Sequence, residues 1–220
     1  MDYMKGSDEK KIREIYRWLR EKYGEAPEPS EMSGVDYVIE TVLSQNTNDI
    51  NRDKAFDKLK ETYGDEYESI QNAPRDELID TIRIAGLGPT KAERIQKALK
   101  IIHDKEGEYS VEFLNDMNLE DGKKWLTDIP GIGPKTASVI LGFHFKKPTI
   151  PVDTHVHRLA GRYNLVPEGS SRTKTHNILE KKVPDEIKYG FHRLLIEHGR
   201  AECIARNKDC ECELCKNYGE

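Results

Sequence analysis

Apolar residues recur at intervals of three and four along most of the chain, with polar and charged residues between them. This spacing places them on one face of an α-helix, so it predicts a helical fold. No stretch alternates apolar and polar residues, and only the short TIPV segment at 149–152 looks extended. The sequence therefore predicts an all-α protein, with helices near residues 8–23, 35–45, 50–63, 78–84, 95–102, 110–116, 118–127, 154–164, 171–181 and 184–199, and one more after Pro134.

Two glycine turns interrupt this helical pattern, GLGPTKA at 86–92 and GIGPKTA at 131–137. In the second turn, Gly131 and Gly133 flank Ile132, which we expect to anchor the turn in the core. Glycine lets the backbone approach a ligand closely, and Pro134 suits the first turn of a helix. The amides that follow lie at a helix N-terminus, where unpaired N–H groups and the helix dipole favour an anion such as a phosphate.

Lys135 follows this turn directly, and Asp153 stands eighteen positions later in the segment VDTHVHR. The helix dipole opposes a cation at the position of Lys135, so the field favours the neutral, nucleophilic amine. Asp153 precedes a helical segment and is a good N-cap. Capping N–H groups would also hold its carboxylate ionised, as a group that stabilises a cationic sugar requires.

The segment LTDIPGIGPKTASVIL, with VDTH at this separation, resembles the helix-hairpin-helix of the endonuclease III branch of base-excision DNA glycosylases. The resemblance implies that Lys135 and Asp153 are the catalytic pair. It also implies two helical lobes flanking a DNA-binding cleft. One is a helical barrel domain of residues 30–148, and the other combines residues 1–29 with 149–220. We expect a monomer.

Basic residues are concentrated in two segments, although the net charge is −5. Residues 121–162 hold seven lysines and arginines against three acids, and residues 83–100, which include Lys91, hold five against one. Local potential decides phosphate binding, so an acidic protein can still bind DNA through such a face. We count Lys91 and Arg158 as candidate DNA contacts. Arg158 shares a helix face with Arg162, and the two could equally pair with acids.

Gln45 and Asn46 lie in the polar cluster LSQNTND, which ends at Asp49, a candidate cap for the next helix. Amides in such places usually cap helices. The resembling family has a DNA-inserting glutamine in this loop. Alignment from Ser44 points to Asn46 and residue type points to Gln45, so one of these two is predicted to fill the stack when a base is extruded.

All four cysteines fall within the last eighteen residues, in the pattern C-x6-C-x-C-x2-C. We predict a metal site formed by Cys203, Cys210, Cys212 and Cys215, since four crowded cysteines can supply four converging thiolates. The tail resembles the family's approach to its [4Fe–4S] cluster, where the spacing is C-x6-C-x2-C-x5-C. Cys203 and Cys210 match that spacing, whereas the last two come early. Structural zinc is the alternative.

The leading hypothesis is a bifunctional DNA glycosylase and abasic-site lyase that acts on damaged pyrimidines in duplex DNA. A mismatch or oxidised-purine glycosylase on the same scaffold and a non-catalytic DNA-binding module are the alternatives. The sequence contains no apolar run of membrane-span length and no signal-peptide pattern. We therefore expect a cytoplasmic protein, associated with the nucleoid when bound to DNA.

Overall fold

The computed structural model describes residues 3–28, 31–207 and 209–219. Within these ranges the chain forms helices and turns, with no β-strand, so the predicted all-α class is confirmed. The α-helices are α1 (Tyr3–Tyr23), α2 (Gly34–Leu43), α3 (Asp49–Tyr63), α4 (Tyr67–Asn72), α5 (Arg75–Ile82), α6 (Gly88–Glu106), α7 (Leu119–Thr127), α8 (Pro134–Phe143), α9 (Thr154–Arg162), α10 (Arg172–Lys182), α11 (Lys188–Ala201) and α12 (Glu213–Tyr218). Short 3₁₀ turns occupy Arg83–Ala85, Glu112–Asn115 and Asp185–Ile187.

Side-chain caps fix where several helices begin. Each capping side chain accepts a hydrogen bond from a first-turn N–H that has no partner inside the helix. The capping residues are Ser33, Asn48, Asn118, Asp153 and Ser171. The prediction that Asp49 caps α3 was wrong: Asn48 accepts from the Asn51 N–H at 2.8 Å, and Asp49 is the first helical residue.

The chain forms two compact units. One is Ser30–Phe145, and the other combines Met1–Pro29 with Lys146–Glu220. Each unit has its own apolar core. We call them the central unit and the terminal unit.

In the central unit α2 is buried along most of its length and packs against α3, α6 and α8. Its acidic residues Asp36 and Glu40 pair with Lys60 and Arg52 of α3, so its polar positions also face a neighbouring helix. Helices α4 and α5 pack on α6, and α7 packs on α8. The α7–α8 pair with the turn between them is the helical hairpin that the sequence predicts.

In the terminal unit α1 and α9 both pack on α11. Ile12, Ile15 and Leu19 form the buried face of α1, as the spacing predicts. The short helix α12, among the last cysteines, was not predicted, because its six residues are too few to show a period. No helix in the described ranges is both long and apolar enough to span a membrane.

Candidate functional site

The hairpin turn joins α7 to α8 through residues 128–133. Gly131 adopts φ +90°, a left-handed conformation that glycine accepts without strain. Ile132 is only 3% exposed and belongs to the core of the central unit, so the prediction that it anchors the turn is confirmed. Gly131 and Gly133 are both exposed. The buried Ile132 side chain therefore fixes the turn to the core, while the backbone at Gly131 and Gly133 stays accessible.

Lys135 is the second residue of α8 and is exposed. Helix α8 begins after Gly133 without a side-chain cap, and Pro134 has no N–H. The N–H groups of Lys135 and Thr136 precede the first intrahelical bond, which Ala137 makes to the Gly133 carbonyl at 2.9 Å. An accessible amine thus stands beside unpaired amides at the positive end of a helix dipole, which suits a phosphate-bearing ligand.

Lys91 does not lie on a surface. Its side chain is 0% exposed, and its ammonium donates to the carbonyls of Leu43 and Ala85, both at 2.7 Å. Burial lowers the pKa of Lys91. The assignment of Lys91 as a DNA contact is therefore wrong, because its charge joins the end of α2 to the first glycine turn and cannot reach a phosphate.

Asp153 is half-buried in the terminal unit and is the N-cap of α9. Its Oδ1 accepts a hydrogen bond from the Val156 N–H at 2.8 Å, so the predicted capping role is confirmed. The cap fixes the rotamer of the carboxylate and leaves its second oxygen for another partner. Sequence and structure agree on this local arrangement.

Gln45 and Asn46 differ in their surroundings. The half-buried Gln45 donates from Nε2 to the Gly131 carbonyl at 2.9 Å and accepts from Arg94 Nη1 at 2.5 Å. Asn46 is exposed and has φ +53°. Within the described ranges no hydrogen bond involves its side chain. Of the two candidates for the inserted residue, Gln45 is therefore held by two hydrogen bonds and Asn46 is exposed.

The four cysteines of the terminal unit converge. Their Sγ atoms all lie within 4.8 Å of one another, with Cys203 buried and the other three half-buried. Burial raises the pKa of the Cys215 thiol, and the neighbouring Cys212 and Cys203 add to the effect. A cation would offset the repulsion among four thiolates, so the site suits a metal.

Two arginines of α9 hold the cysteine segment. Arg158 Nη2 donates to the carbonyls of Gly199 and Cys203 at 3.0 and 2.9 Å. Arg162 donates to Cys203 Sγ at 3.0 Å and to the carbonyls of Ile204 and Asn207. The sequence offered phosphates or acidic residues as the partners of Arg158. Both alternatives are wrong, because the partners of Arg158 are backbone carbonyls. Arg158 therefore supports the candidate metal site and is withdrawn as a DNA contact.

The sulfur spacing can be compared with metal geometry. Four sulfurs at about 2.3 Å from one tetrahedral zinc ion lie roughly 3.8 Å apart. Cys203 Sγ and Cys215 Sγ are 3.7 Å apart. A four-iron cluster is larger than a single ion and needs a wider set of thiolates. A cavity of about 830 Å³ lies beside the cysteines and is lined by Cys210 and Cys215, so the site is open on one side.

Three further residues have surroundings that the sequence did not single out. Arg94, counted only as part of a basic segment, joins Gln45 to the hairpin turn. Leu87, at the tip of the first glycine turn, has φ +53° and is 55% exposed. His198 Nε2 lies 3.5 Å from Cys212 Sγ. The sequence signal that could have marked Leu87 is its place as an apolar residue between the two turn glycines, Gly86 and Gly88.

Comparison with protein families gives one match. The sequence model of one family, "HhH-GPD superfamily base excision DNA repair protein", matches residues 39–185. This range includes the loop at 44–48, both glycine turns, Lys135 and Asp153. The cysteine segment lies outside it.

Similar proteins and structures agree with this match. Endonuclease III of Thermotoga maritima is 37% identical over 83% of this chain and 81% of its own length. A protein of Arabidopsis thaliana, provisionally named a DNA glycosylase, is 36% identical over 79% of this chain, but the match spans only 59% of that protein. A solved non-covalent endonuclease III–DNA complex superposes with a TM-score of 0.81 at 27% identity, covering 96% of this chain and 95% of the other.

Proposed function

The chain belongs to the HhH-GPD superfamily of base excision DNA repair proteins and, within it, to the endonuclease III family, and from this premise we propose that it is a bifunctional DNA glycosylase and abasic-site lyase. Its substrates are damaged pyrimidines in duplex DNA. Membership of an enzyme family sets aside the non-catalytic DNA-binding module.

The observation that carries this proposal is the exposed amine of Lys135 beside the unpaired amides at the start of α8. The amides and the helix dipole bind a backbone phosphate, which brings the adjoining deoxyribose to the amine. The Nζ of Lys135 then attacks C1′ of the extruded nucleotide with its lone pair. As the Nζ–C1′ bond forms, the glycosidic bond breaks, and the base leaves with the electron pair and takes up the proton that Nζ loses.

Opening of the sugar ring then gives a Schiff base between Lys135 and C1′. Removal of a proton from C2′ expels the 3′ phosphate by β-elimination, which cleaves the strand. We assign the stabilisation of the cationic sugar to the Asp153 carboxylate, whose orientation is fixed by the cap bond that it accepts from the Val156 N–H. These assignments supply a nucleophile and an electrostatic partner for both steps.

DNA contacts in this proposal come from the loop at 44–48 and from the two glycine turns. The exposed backbone of Gly131 and Gly133 lies against the phosphate, with Ile132 anchoring the turn and its own N–H bonded to the Ile129 carbonyl. Gln45 or Asn46 fills the vacated stack. Exposed Leu87 is an apolar side chain of the kind that enters between base steps in bent DNA. We propose that the protein is cytoplasmic and associates with the nucleoid when it is bound to DNA.

The four cysteines hold a metal centre in this proposal, with two candidate occupants. The family resemblance favours [4Fe–4S], whereas the short spacing of the sulfurs favours a single tetrahedral zinc. In either case the centre supplies a fixed cross-link, and the arginines of α9 hold the backbone around it. Iron and zinc analysis of the purified protein, with its visible absorbance spectrum, decides between the two.

Borohydride trapping tests the catalytic proposal. Wild-type protein and Lys135→Ala are incubated with duplexes that carry thymine glycol, uracil, oxidised guanine or an abasic site. A covalent product with wild type and none with the variant is the expected result. Trapping on the thymine glycol and abasic duplexes assigns damaged pyrimidines, and trapping on oxidised guanine alone would assign the alternative purine specificity. Binding without trapping would contradict the lyase assignment.

Lys124→Ala is the matched control for lost charge, since Lys124 lies outside the turn on α7. It should retain trapping. Equal loss of trapping in both variants would show that general DNA affinity, and not the nucleophile, had been removed.

A further inference from the structure

Arg94 of α6 stands where two functional segments of the central unit meet. Its Nη1 donates to Gln45 Oε1 in the loop at 44–48. Its aliphatic stem lies under the hairpin turn, where a Cβ built on Gly131 would come within 2.5 Å of Arg94 Cδ. Gln45 also contacts the turn directly, since its Nε2 donates to the Gly131 carbonyl at 2.9 Å. One guanidinium group thus connects a helix, a loop and a turn.

We propose that Arg94 and Gln45 form a latch that sets the position of the loop at 44–48 relative to the hairpin turn, and that Asn46 is the residue inserted into DNA. This inference rests on the proposed function. It resolves which of two neighbouring amides fills the vacated stack, and it gives Arg94 a positioning role.

Gln45 is unsuited to insertion because both ends of its amide are used. Entering the duplex would break its bonds to Arg94 and Gly131, and a hydrogen bond to a charged group is among the costlier ones to lose. Asn46 has no such tie in the described ranges. Its φ of +53° is a conformation that asparagine tolerates better than most residues, and its side chain is exposed.

The latch also has a geometric consequence. The hairpin turn binds the backbone phosphate, and the loop fills the stack, so the two must keep a fixed spacing for one nucleotide to be extruded. Gly131 is where this spacing is set, since only a residue without a Cβ lets the Arg94 stem pass so closely. Glycine at 131 therefore serves the latch as well as the turn.

Fluorescence of 2-aminopurine tests the latch without any chemistry. The probe is a duplex with 2-aminopurine opposite a tetrahydrofuran abasic analogue, which cannot form a Schiff base. Insertion displaces 2-aminopurine from the stack and raises its fluorescence. Four variants are compared with wild type: Asn46→Ala, Gln45→Ala, Arg94→Met and the double variant Gln45→Ala/Arg94→Met. Lys100→Met, on the same helix and exposed, controls for the lost charge.

Asn46→Ala should abolish the fluorescence rise while the duplex still binds. Gln45→Ala and Arg94→Met should each reduce the fraction of complexes with an inserted side chain, by about tenfold, which is the typical effect of losing a hydrogen bond to a charged group. The double variant should be no worse than either single variant, because both remove the same latch. Arg94→Lys should restore part of the signal, and Lys100→Met should behave as wild type.

A normal response in Asn46→Ala with none in Gln45→Ala would overturn the assignment of the inserted residue. Additive losses in the double variant, or no response in the wild type, would overturn the latch. Trapping on damaged duplexes separates this inference from the proposed function. If the wild type is trapped but the variants do not give the expected order of fluorescence, the proposed function stands and the latch is wrong. If the variants give the expected order but no covalent product is trapped, the latch stands and the lyase assignment is wrong.

Discussion

The two glycine turns of the central unit have nearly the same sequence and different structures. In GLGPTKA the tip residue Leu87 is exposed and left-handed, whereas in GIGPKTA the corresponding Ile132 is buried. The lysines differ in the opposite sense. Lys91 is buried under the first turn, and Lys135, one register position earlier in the second, is exposed.

One residue of register accounts for the lysine difference. Consecutive positions on a helix are about 100° apart, so moving a lysine by one position turns it from the core toward solvent. Lys91 corresponds to Thr136 and Lys135 to Thr90. The first copy therefore uses its charge to hold carbonyls together, and the second leaves its amine available for chemistry. Similar motifs can support different functions when a single side chain changes face.

The largest expected effect separates the two lysines by activity. Lys135→Ala should reduce excision with strand cleavage by about 10³-fold or more, as loss of a covalent nucleophile does. Its melting temperature should stay close to that of wild type, because the side chain is exposed. Single-turnover cleavage and thermal melting measure both. An equal loss of activity in a folded Lys91→Met protein would break the comparison.

The second prediction separates the same lysines by stability. Lys91→Ala should lower the free energy of unfolding by about 2–5 kcal/mol, because it leaves a cavity and two buried carbonyls without their donor. Urea denaturation gives this value. Lys135→Ala, measured in parallel, should change the free energy by less than about 0.5 kcal/mol. A stable Lys91→Ala protein would show that the buried ammonium does not support the turn.

The tip residues give the third test. Ile132→Ala should cost about 2–4 kcal/mol of unfolding free energy, since its side chain is part of the core. Leu87→Ala should cost less than about 0.5 kcal/mol, as surface substitutions usually do. Its effect should appear instead as weaker binding to an abasic-analogue duplex in a fluorescence-anisotropy titration. Comparable destabilisation of both variants would contradict the difference in burial.

The smallest expected difference between the two turns concerns the first glycine of each. Gly86 and Gly131 both have positive φ, so alanine at either site costs about 1–2 kcal/mol. A Cβ at Gly86 meets open space, whereas one at Gly131 overlaps Arg94. Gly131→Ala should therefore be destabilised by about 1–3 kcal/mol more, the usual cost of overpacking. Calorimetric melting compares the two, and equal melting temperatures would mean that Arg94 moves aside freely.

Apolar periodicity predicts most helices of this chain, because each buries one face in a core. It fails where that signal is absent. The helix predicted near 110–116 is only the 3₁₀ turn Glu112–Asn115, and the helices Tyr67–Asn72 and Glu213–Tyr218 were missed because six residues are too few to show a period. The choice of Asn48 over Asp49 as a cap depends on backbone geometry. These misses change element ends and leave the helical class intact.

Site residues were predictable where local sequence determines their environment. The Asp153 cap and the buried Ile132 follow from neighbouring residues alone. Lys91 and Arg158 were misjudged because their partners are carbonyls distant in sequence, and a carbonyl carries no side-chain signature. The contact between Arg94 and Gly131 joins residues 37 positions apart and could be found only from coordinates.

The terminal unit joins segments from opposite ends of the sequence, and this governs the order of folding during synthesis. The central unit has all its residues once Phe145 has left the ribosome, so it can fold while translation continues. Helix α1 must wait for α11, which is made more than 160 residues later, before its apolar face is covered. A nascent chain at that stage therefore carries a folded central unit beside a helix α1 whose apolar face is still exposed, and this face is covered only when α11 has been made.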